Sequence, residues 1–122
     1  FYPTILEMAG LSGDPKHNAT VDGRSLLPLL KNPRARLARE ELFFHYPHYY
    51  ATTSPVSAIL AREWKLLEYF EDGRVELYHL GRDPSESRNL ADAEPQVARR
   101  LHERLRAWRA EVKAQMPVPN PK

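Results

Sequence analysis

Trp64-Lys65-Leu66-Leu67-Glu68-Tyr69-Phe70-Glu71-Asp72-Gly73-Arg74-Val75-Glu76-Leu77-Tyr78-His79-Leu80 decides the fold. Asp72-Gly73 separates two runs rich in apolar and aromatic residues, Trp64 to Phe70 and Arg74 to Leu80. Asp-Gly between such runs is a strong hairpin signal, because both residues tolerate the positive φ of a tight turn. In the return run, Val75, Leu77 and Leu80 leave a mixed alternation, so one face is expected to be buried and the other partly wet. Two further strand signals lie upstream, Leu42 to Tyr46 and Val56 to Ala61, the second following Ser54-Pro55. Four strands joined by short loops imply an antiparallel sheet.

Downstream, Glu94-Pro95 opens the only long helical pattern, with Pro95 at the first helical position. Val97, Leu101, Leu105, Trp108 and Val112 recur at spacings of four and three, which forms one apolar stripe. That stripe would lie across the sheet and close a two-layer core. Arg99, Arg100, Arg104, Arg106 and Arg109 interleave with Glu103 and Glu111 and read as a solvated amphipathic face. Met116-Pro117-Val118-Pro119-Asn120-Pro121 cannot continue a helix and reads as an extended tail. The expected fold class is α+β: a four-stranded antiparallel sheet packed against one long C-terminal helix, preceded by short N-terminal helices.

Those short helices are expected at Pro3 to Gly10, with Gly10 as C-cap, and at Ser25 to Leu30, with Ser25 as N-cap and Pro28 in the first turn. Between them, residues 12–24 carry Gly13-Asp14-Pro15 and Asp22-Gly23 and read as loop. Asn18-Ala19-Thr20 fits the N-glycosylation pattern, a match common by chance. The opening Phe1-Tyr2-Pro3 has no basic n-region and no cleavage site, so it is not a signal peptide. A helix so short is unstable alone, and the chain is expected to be a piece of a longer one. The expected division is residues 1–38 as the end of a larger domain and linker, 39–114 as sheet plus helix, and 115–122 as tail. An exposed apolar patch is expected near residues 1–30, open to self-association.

The chain has 122 residues, 42% hydrophobic and 28% charged, which suits one globular core. No apolar run approaches the ~20 residues that cross a bilayer. Eighteen basic against 16 acidic residues leave a net charge of +2, too little to argue for nucleic acid. The absence of cysteine removes disulfides, thiolate metal ligation and a cysteine nucleophile.

The candidate site residues lie in Glu41-Leu42-Phe43-Phe44-His45-Tyr46-Pro47-His48-Tyr49-Tyr50. Imidazole and phenol each join a flat apolar body to a polar tip, which suits a pocket wall facing a polar or anionic ligand. The plainer reading is a half-buried strand whose polar tips bond to backbone or water. His45 and His48 are three apart across a strand end and a proline turn, so they share no helix face, and no carboxylate lies beside them at ligand spacing. No serine sits in a Gly-x-Ser-x-Gly elbow. Asp22, Asp72, Asp83 and Asp92 lie in turn contexts. Pocket-wall residues are present, but no catalytic residue and no metal set.

The order of motifs resembles the C-terminal part of a type I sulfatase of the alkaline phosphatase superfamily. Phe1-Tyr2-Pro3-Thr4-Ile5-Leu6-Glu7-Met8-Ala9-Gly10 is similar to the family's D-[LI]-x-P-T-[LI]-L-x-L-A-G helix, and Asp22-Gly23-Arg24-Ser25-Leu26-Leu27-Pro28-Leu29-Leu30 to its D-G-x-S-L-x-P-L-L segment. Trp64-Lys65-Leu66 resembles its W-K-L strand start. Tyr78-His79-Leu80 followed by Asp83-Pro84-Ser85-Glu86-Ser87-Arg88-Asn89-Leu90 resembles Y-[ND]-L-x-x-D-P-x-E-x-x-N-L, the most specific of the four.

The resemblance implies a sulfatase hydrolysing sulfate esters, with a sulfated carbohydrate as one substrate class. Its formylglycine, made from a C/S-x-P-x-R motif, and its Ca2+ ligands would lie upstream. Neither the motif nor the ligands occur here, so no catalytic or metal residue is carried over and no cofactor is expected in the chain itself. The implied partners are the N-terminal sulfatase domain and a sulfate-ester substrate, and the implied location is periplasmic or secreted. His48, His45, Tyr46, Tyr49 and Tyr50 become candidates for one wall of the substrate pocket, with His48 favoured because it follows Pro47 outside the strand. The alternatives are the same role in a phosphodiesterase or phosphonate hydrolase, or a free-standing module binding carbohydrate or nucleic acid.

Overall fold

The computed structural model describes residues 1–37 and 39–118 and divides into two compact units, Phe1–Arg39 and Glu40–Lys122. The expected boundary residue Ala38 and the last four residues of the expected tail, from Pro119 onward, lie outside the described residues.

The first unit holds three short helices, α1 (Tyr2–Ala9), α2 (Pro15–Asn18) and α3 (Leu27–Lys31). Helix α1 ends at Gly10, whose φ of 67° is the left-handed conformation that glycine adopts without steric cost. The buried Thr4 joins α1 to α3, its hydroxyl accepting from Leu26 N–H at 2.9 Å. Two expectations need correction. The segment read as loop contains α2, because Asp14 caps it by accepting from Lys16 N–H at 2.7 Å, with Pro15 at the first position. At α3 the N-cap position is Leu26, and Ser25 Oγ accepts from Leu27 N–H one residue further out than expected. The Asn18 side chain is occupied: it accepts from the Tyr2 hydroxyl and donates to Ser12 O. Phe1, Ile5, Met8, Leu11 and Leu30 are exposed.

The second unit is a four-stranded antiparallel sheet in the order β1-β2-β3-β4, with one long helix on it. The strands are β1 (Glu41–Tyr46), β2 (Val56–Ala61), β3 (Trp64–Tyr69) and β4 (Val75–His79), and the helix is α4 (Pro95–Glu111). Each strand pairs with the next along the chain, so spatial order equals chain order, with short turns after β2 and β3 and a longer connection after β1. The pleat sends alternate side chains to opposite faces, and the register fixes which. Phe43, Ile59, Leu66 and Leu77 are cross-strand partners in one row. That row meets Leu101 and Leu105 of α4 and forms the core, with Phe43, Val97 and Trp108 packed around it. Phe43 and Trp108 stack nearly parallel, 9° between planes and 4.8 Å between centroids.

The helical stripe differs from expectation at one end. Val112 is the C-cap residue and is exposed, while Arg109, read as solvated, is buried. Leu101, Leu105 and Arg109 are each four apart, so the last turn toward the sheet is an arginine and not a valine.

The loop after β4 is held by two side chains. Asp83 accepts from Ser85 Oγ, Ser87 Oγ and Arg88 N–H at 3.1, 3.0 and 2.9 Å. Hydrogen bonds from the backbone at Arg88 and Ser87 hold its carboxyl below the usual carboxylate range. Asn89 Oδ1 accepts from Leu77 N–H at 3.0 Å and Ala91 N–H at 2.9 Å, tying the loop to β4. Removing that oxygen leaves the Leu77 amide, on a fully buried residue, without this partner. Asn89→Ala is expected to cost about 2 kcal/mol in denaturant unfolding, and Asn89→Asp, which keeps the acceptor, distinctly less. Equal losses for the two would contradict the assigned role.

Candidate functional site

The alternation along β1 splits the candidate residues. Phe43 and His45 face the helix, and Leu42, Phe44 and Tyr46 face the other way. His45 pairs across the sheet with Ser57, and Ser57 with Glu68. This polar row of three lies beside the apolar row of the core, under the last turns of α4.

Both His45 ring nitrogens are engaged. Nε2 lies 2.7 Å from the Gln115 carbonyl and Nδ1 2.7 Å from Ser57 Oγ. A carbonyl only accepts, so Nε2 carries a proton, and in the neutral ring Nδ1 accepts from the Ser57 hydroxyl. Ser57 is fully buried, so this serine–histidine pair has no route to a substrate. It fastens the chain leaving α4 to the sheet.

Glu68 sits at the centre of the next contacts. Its Oε1 lies 3.0 Å from His102 Nε2 and its Oε2 2.5 Å from Arg109 Nη2. Glu68 Oε2 and His102 Nε2 have no aligned hydrogen-bond partner, so these are close contacts with poor hydrogen-bond angles, and the one to Arg109 is an ion pair. The Arg109 guanidinium also lies over the Phe70 ring, 5.2 Å from its centroid. Burial pushes the Glu68 carboxyl up, and contact with His102 and Arg109 more than reverses it, leaving it below its ordinary value of 4.5. Ser57, Glu68, His102 and Arg109 were not expected as a group. The available signal was positional: Arg109 continues the four-residue spacing of Leu101 and Leu105, and Glu68 follows Leu66 by two on the same strand face.

The remaining candidates lie elsewhere. Tyr46, on the face away from the helix, meets the His48 ring edge-on, centroids 5.6 Å apart. His48, Tyr49 and Tyr50 are exposed in the β1–β2 connection, which is pinned by mutual backbone hydrogen bonds between Tyr50 and Thr53. Tyr49 borders a hollow of about 600 Å3 with Pro47, Pro55, Phe70, Glu71, Pro117 and Val118. The structure therefore groups Tyr46 with His48 and sets Tyr49 and Tyr50 in the same connection, while His45 is directed to the opposite face. Among the described residues no three His, Asp or Glu side chains gather as a metal site. The Ca2+ implied by the resemblance does not fit these residues alone.

This sheet-and-helix module recurs in sulfatases. A solved structure titled as BT4656 in complex with its substrate D-glucosamine-2-N,6-O-disulfate is 25% identical with a TM-score of 0.70, over 96% of this chain and 24% of that one. Another, BT1596, described as a 2-O GAG sulfatase, shares the fold at a TM-score of 0.71 and 23% identity, over 92% of this chain and 24% of that one. A sulfatase of Formosa agariphila is 33% identical over 120 residues, 88% of this chain and 22% of the relative. Mouse arylsulfatase K is 32% identical over 116 residues, 87% of this chain and 20% of the relative. The chain belongs to the family described as N-sulphoglucosamine sulphohydrolase, C-terminal, whose model matches residues 1–111. It spans about a fifth of the length of the curated relatives it matches.

The depressed Glu68 pKa sets the sign of an acid effect. A carboxyl with a folded pKa below its unfolded value adds stability that is complete above about pH 4.5 and is lost as pH falls through the folded value. Glu68→Gln should lower stability at pH 7 by about 3 kcal/mol, since Arg109 keeps a buried charge without its counter-ion. It should also flatten the stability–pH curve below pH 4.5. An acid limb as steep as wild type, measured by denaturant unfolding, would contradict the assignment.

Proposed function

We propose that this chain is the C-terminal portion of a longer sulfatase that hydrolyses sulfate esters of a sulfated carbohydrate. It completes that enzyme's fold and supplies one wall of its substrate pocket. The observation that carries the reading is the family match across residues 1–111, which includes the Asp83–Asn89 loop. The bond-breaking residues, the formylglycine and its Ca2+ belong to the part of the enzyme outside these residues. Periplasmic or secreted placement belongs to the same reading. Among the described residues, no helix is long and apolar enough to cross a membrane.

The wall is assigned to the β1–β2 connection. His48, Tyr49 and Tyr50 are exposed there, with Tyr46 beside the His48 ring. An imidazole N–H can donate to a sulfate oxygen or a sugar hydroxyl, and phenol faces can stack on a sugar ring. His45 is assigned to scaffolding, because Ser57 and Gln115 occupy its nitrogens. The apolar residues of the first unit are assigned to contact with the rest of the enzyme, and in the chain alone to self-association.

His48→Ala in the full-length enzyme tests the wall directly. Loss of one hydrogen bond to an anionic oxygen is worth about 1.5 kcal/mol, so kcat/KM on the sulfated carbohydrate should fall about tenfold. The melting temperature should be unchanged, since His48 is exposed. Unaltered kinetics, or preference of the enzyme for a phosphate over a sulfate ester, would count against the reading.

A further inference from the structure

Three stretches of chain meet at the end of the sheet where β1 and β3 stop and β2 begins. Pro47 and Pro55 come from the β1–β2 connection, Phe70 and Glu71 from the β3–β4 turn, and Pro117 and Val118 from the chain after α4. With Tyr49 they border the hollow of about 600 Å3, a size within the usual range of small-molecule sites. Each stretch is fixed in place. Phe70 N–H donates to the Pro55 carbonyl at 2.9 Å, and Tyr50 and Thr53 exchange backbone bonds within the connection. His45 holds Gln115, just upstream of Pro117. The Phe70 ring is braced by the His45 ring, centroids 5.6 Å apart, and by the Arg109 guanidinium at 5.2 Å.

The lining is short of hydrogen-bond donors. Proline carries no N–H, so Pro47, Pro55 and Pro117 offer an anion nothing from their backbone amides. Among the described residues on the lining there is no Lys, Arg or His, and the one charged group is Glu71, which is exposed. Arg109 is not available to a ligand, since it is buried and pairs with Glu68. A sulfate or a uronate carboxylate placed here would lose water, gain few hydrogen bonds and face a like charge. An uncharged sugar ring meets the opposite balance. Its C–H face packs on Tyr49 and Phe70, and its hydroxyls donate to the Glu71 carboxylate in charge-assisted bonds. Tyr49 is 70% exposed, so its ring is open to such a ligand.

We infer that this hollow is a subsite for an uncharged sugar linked to the sulfated one, and that it turns away neighbours carrying sulfate or carboxylate. The inference rests on the reading of the chain as one wall of a sulfatase pocket, and narrows the substrate class of that reading. His48 takes the sulfated sugar, and Tyr49, the next residue, begins the subsite. The preferred glycans are those whose sulfated sugars alternate with neutral sugars rather than with uronic acids. Glu71 is the residue that discriminates, because it accepts from hydroxyls and repels anions.

Turnover by the native full-length enzyme tests this. The probes are a sulfated monosaccharide that the enzyme hydrolyses, the same sugar linked to galactose, and the same sugar linked to glucuronate. The galactose-linked form should exceed the glucuronate-linked form about tenfold in kcat/KM, the effect of one like-charge contact. Glu71→Gln keeps the size and removes the charge, and should bring that ratio below about threefold. Tyr49→Ala should lower kcat/KM for the galactose-linked form about fivefold more than for the monosaccharide. Glu71 and Tyr49 are exposed, so both variants are expected to fold, and unchanged melting temperatures check it. The same ratio in Glu71→Gln as in wild type overturns the inference, as does a preference for the glucuronate-linked form. So does a Tyr49→Ala loss equal for all three probes. Hydrolysis of the monosaccharide is all that the sulfatase reading requires, so the subsite can fail while that reading stands.

Discussion

Two carboxylates tie the helix to the sheet, Glu41 through Arg104 and the more buried Glu68 through Arg109, and Glu68 seats its last turns. Glu68 is held on β3 by the hydrogen-bond ladder and faces α4, where it meets His102 and Arg109, seven residues apart on the same side of that helix. The cluster joins the third strand to the last turns of the helix, in the same cross-strand row where His45 and Ser57 fasten Gln115. Apolar packing alone would let the stripe of α4 slide along the smooth ridge of Ile59, Leu66 and Leu77. The Glu68–Arg109 ion pair is a single short contact at one place on the helix, and leaving one buried member unpaired costs about 3–5 kcal/mol. Translation of the helix by one turn would separate Arg109 from Glu68.

That seating decides what the histidine–tyrosine stretch can do. His45 lies on the helix side and is consumed by Ser57 and Gln115. His48 lies past Pro47, where the strand has ended and the backbone no longer dictates a face, and it is exposed. Two histidines three residues apart thus serve different purposes, one in the scaffold and one available to solvent. The Asp83–Asn89 loop, which carries the most specific family motif, is likewise occupied with its own backbone. Those bonds anchor β4 and lead the chain to α4.

The four strands and the long helix were legible because each has a local signature: Asp72-Gly73 for the hairpin, Pro95 for the helix start, a three-and-four spacing for its apolar stripe. Even the loop motif had a reading as turn chemistry in Asp83-Pro84 and Asn89. The face taken by His45 was not legible, because strand parity depends on which residue begins the ladder, and a shift of one reverses every side chain. The burial of Arg109 was hidden for a different reason. Composition marks an arginine as solvated, and only the cross-layer position of Glu68 makes its burial affordable. Helix α2 escaped because Asp14-Pro15 fits both a turn and a helix cap, and the choice rests on the two hydrogen bonds that Asp14 accepts from Lys16 N–H and His17 N–H. The apolar character of the second sheet face was visible in Leu42, Phe44 and Leu60, but the exposure of Leu42 and Phe44 was not, since it depends on what α4 leaves uncovered.

Amide hydrogen exchange of Arg109→Met against wild type measures the seating most directly. With the guanidinium gone and Glu68 left buried against His102 alone, protection should fall along Pro95–Glu111 while the β2–β3 ladder keeps its own. Unchanged protection in α4 would contradict the account, because the helix would then be held by its apolar stripe without the ionic cluster.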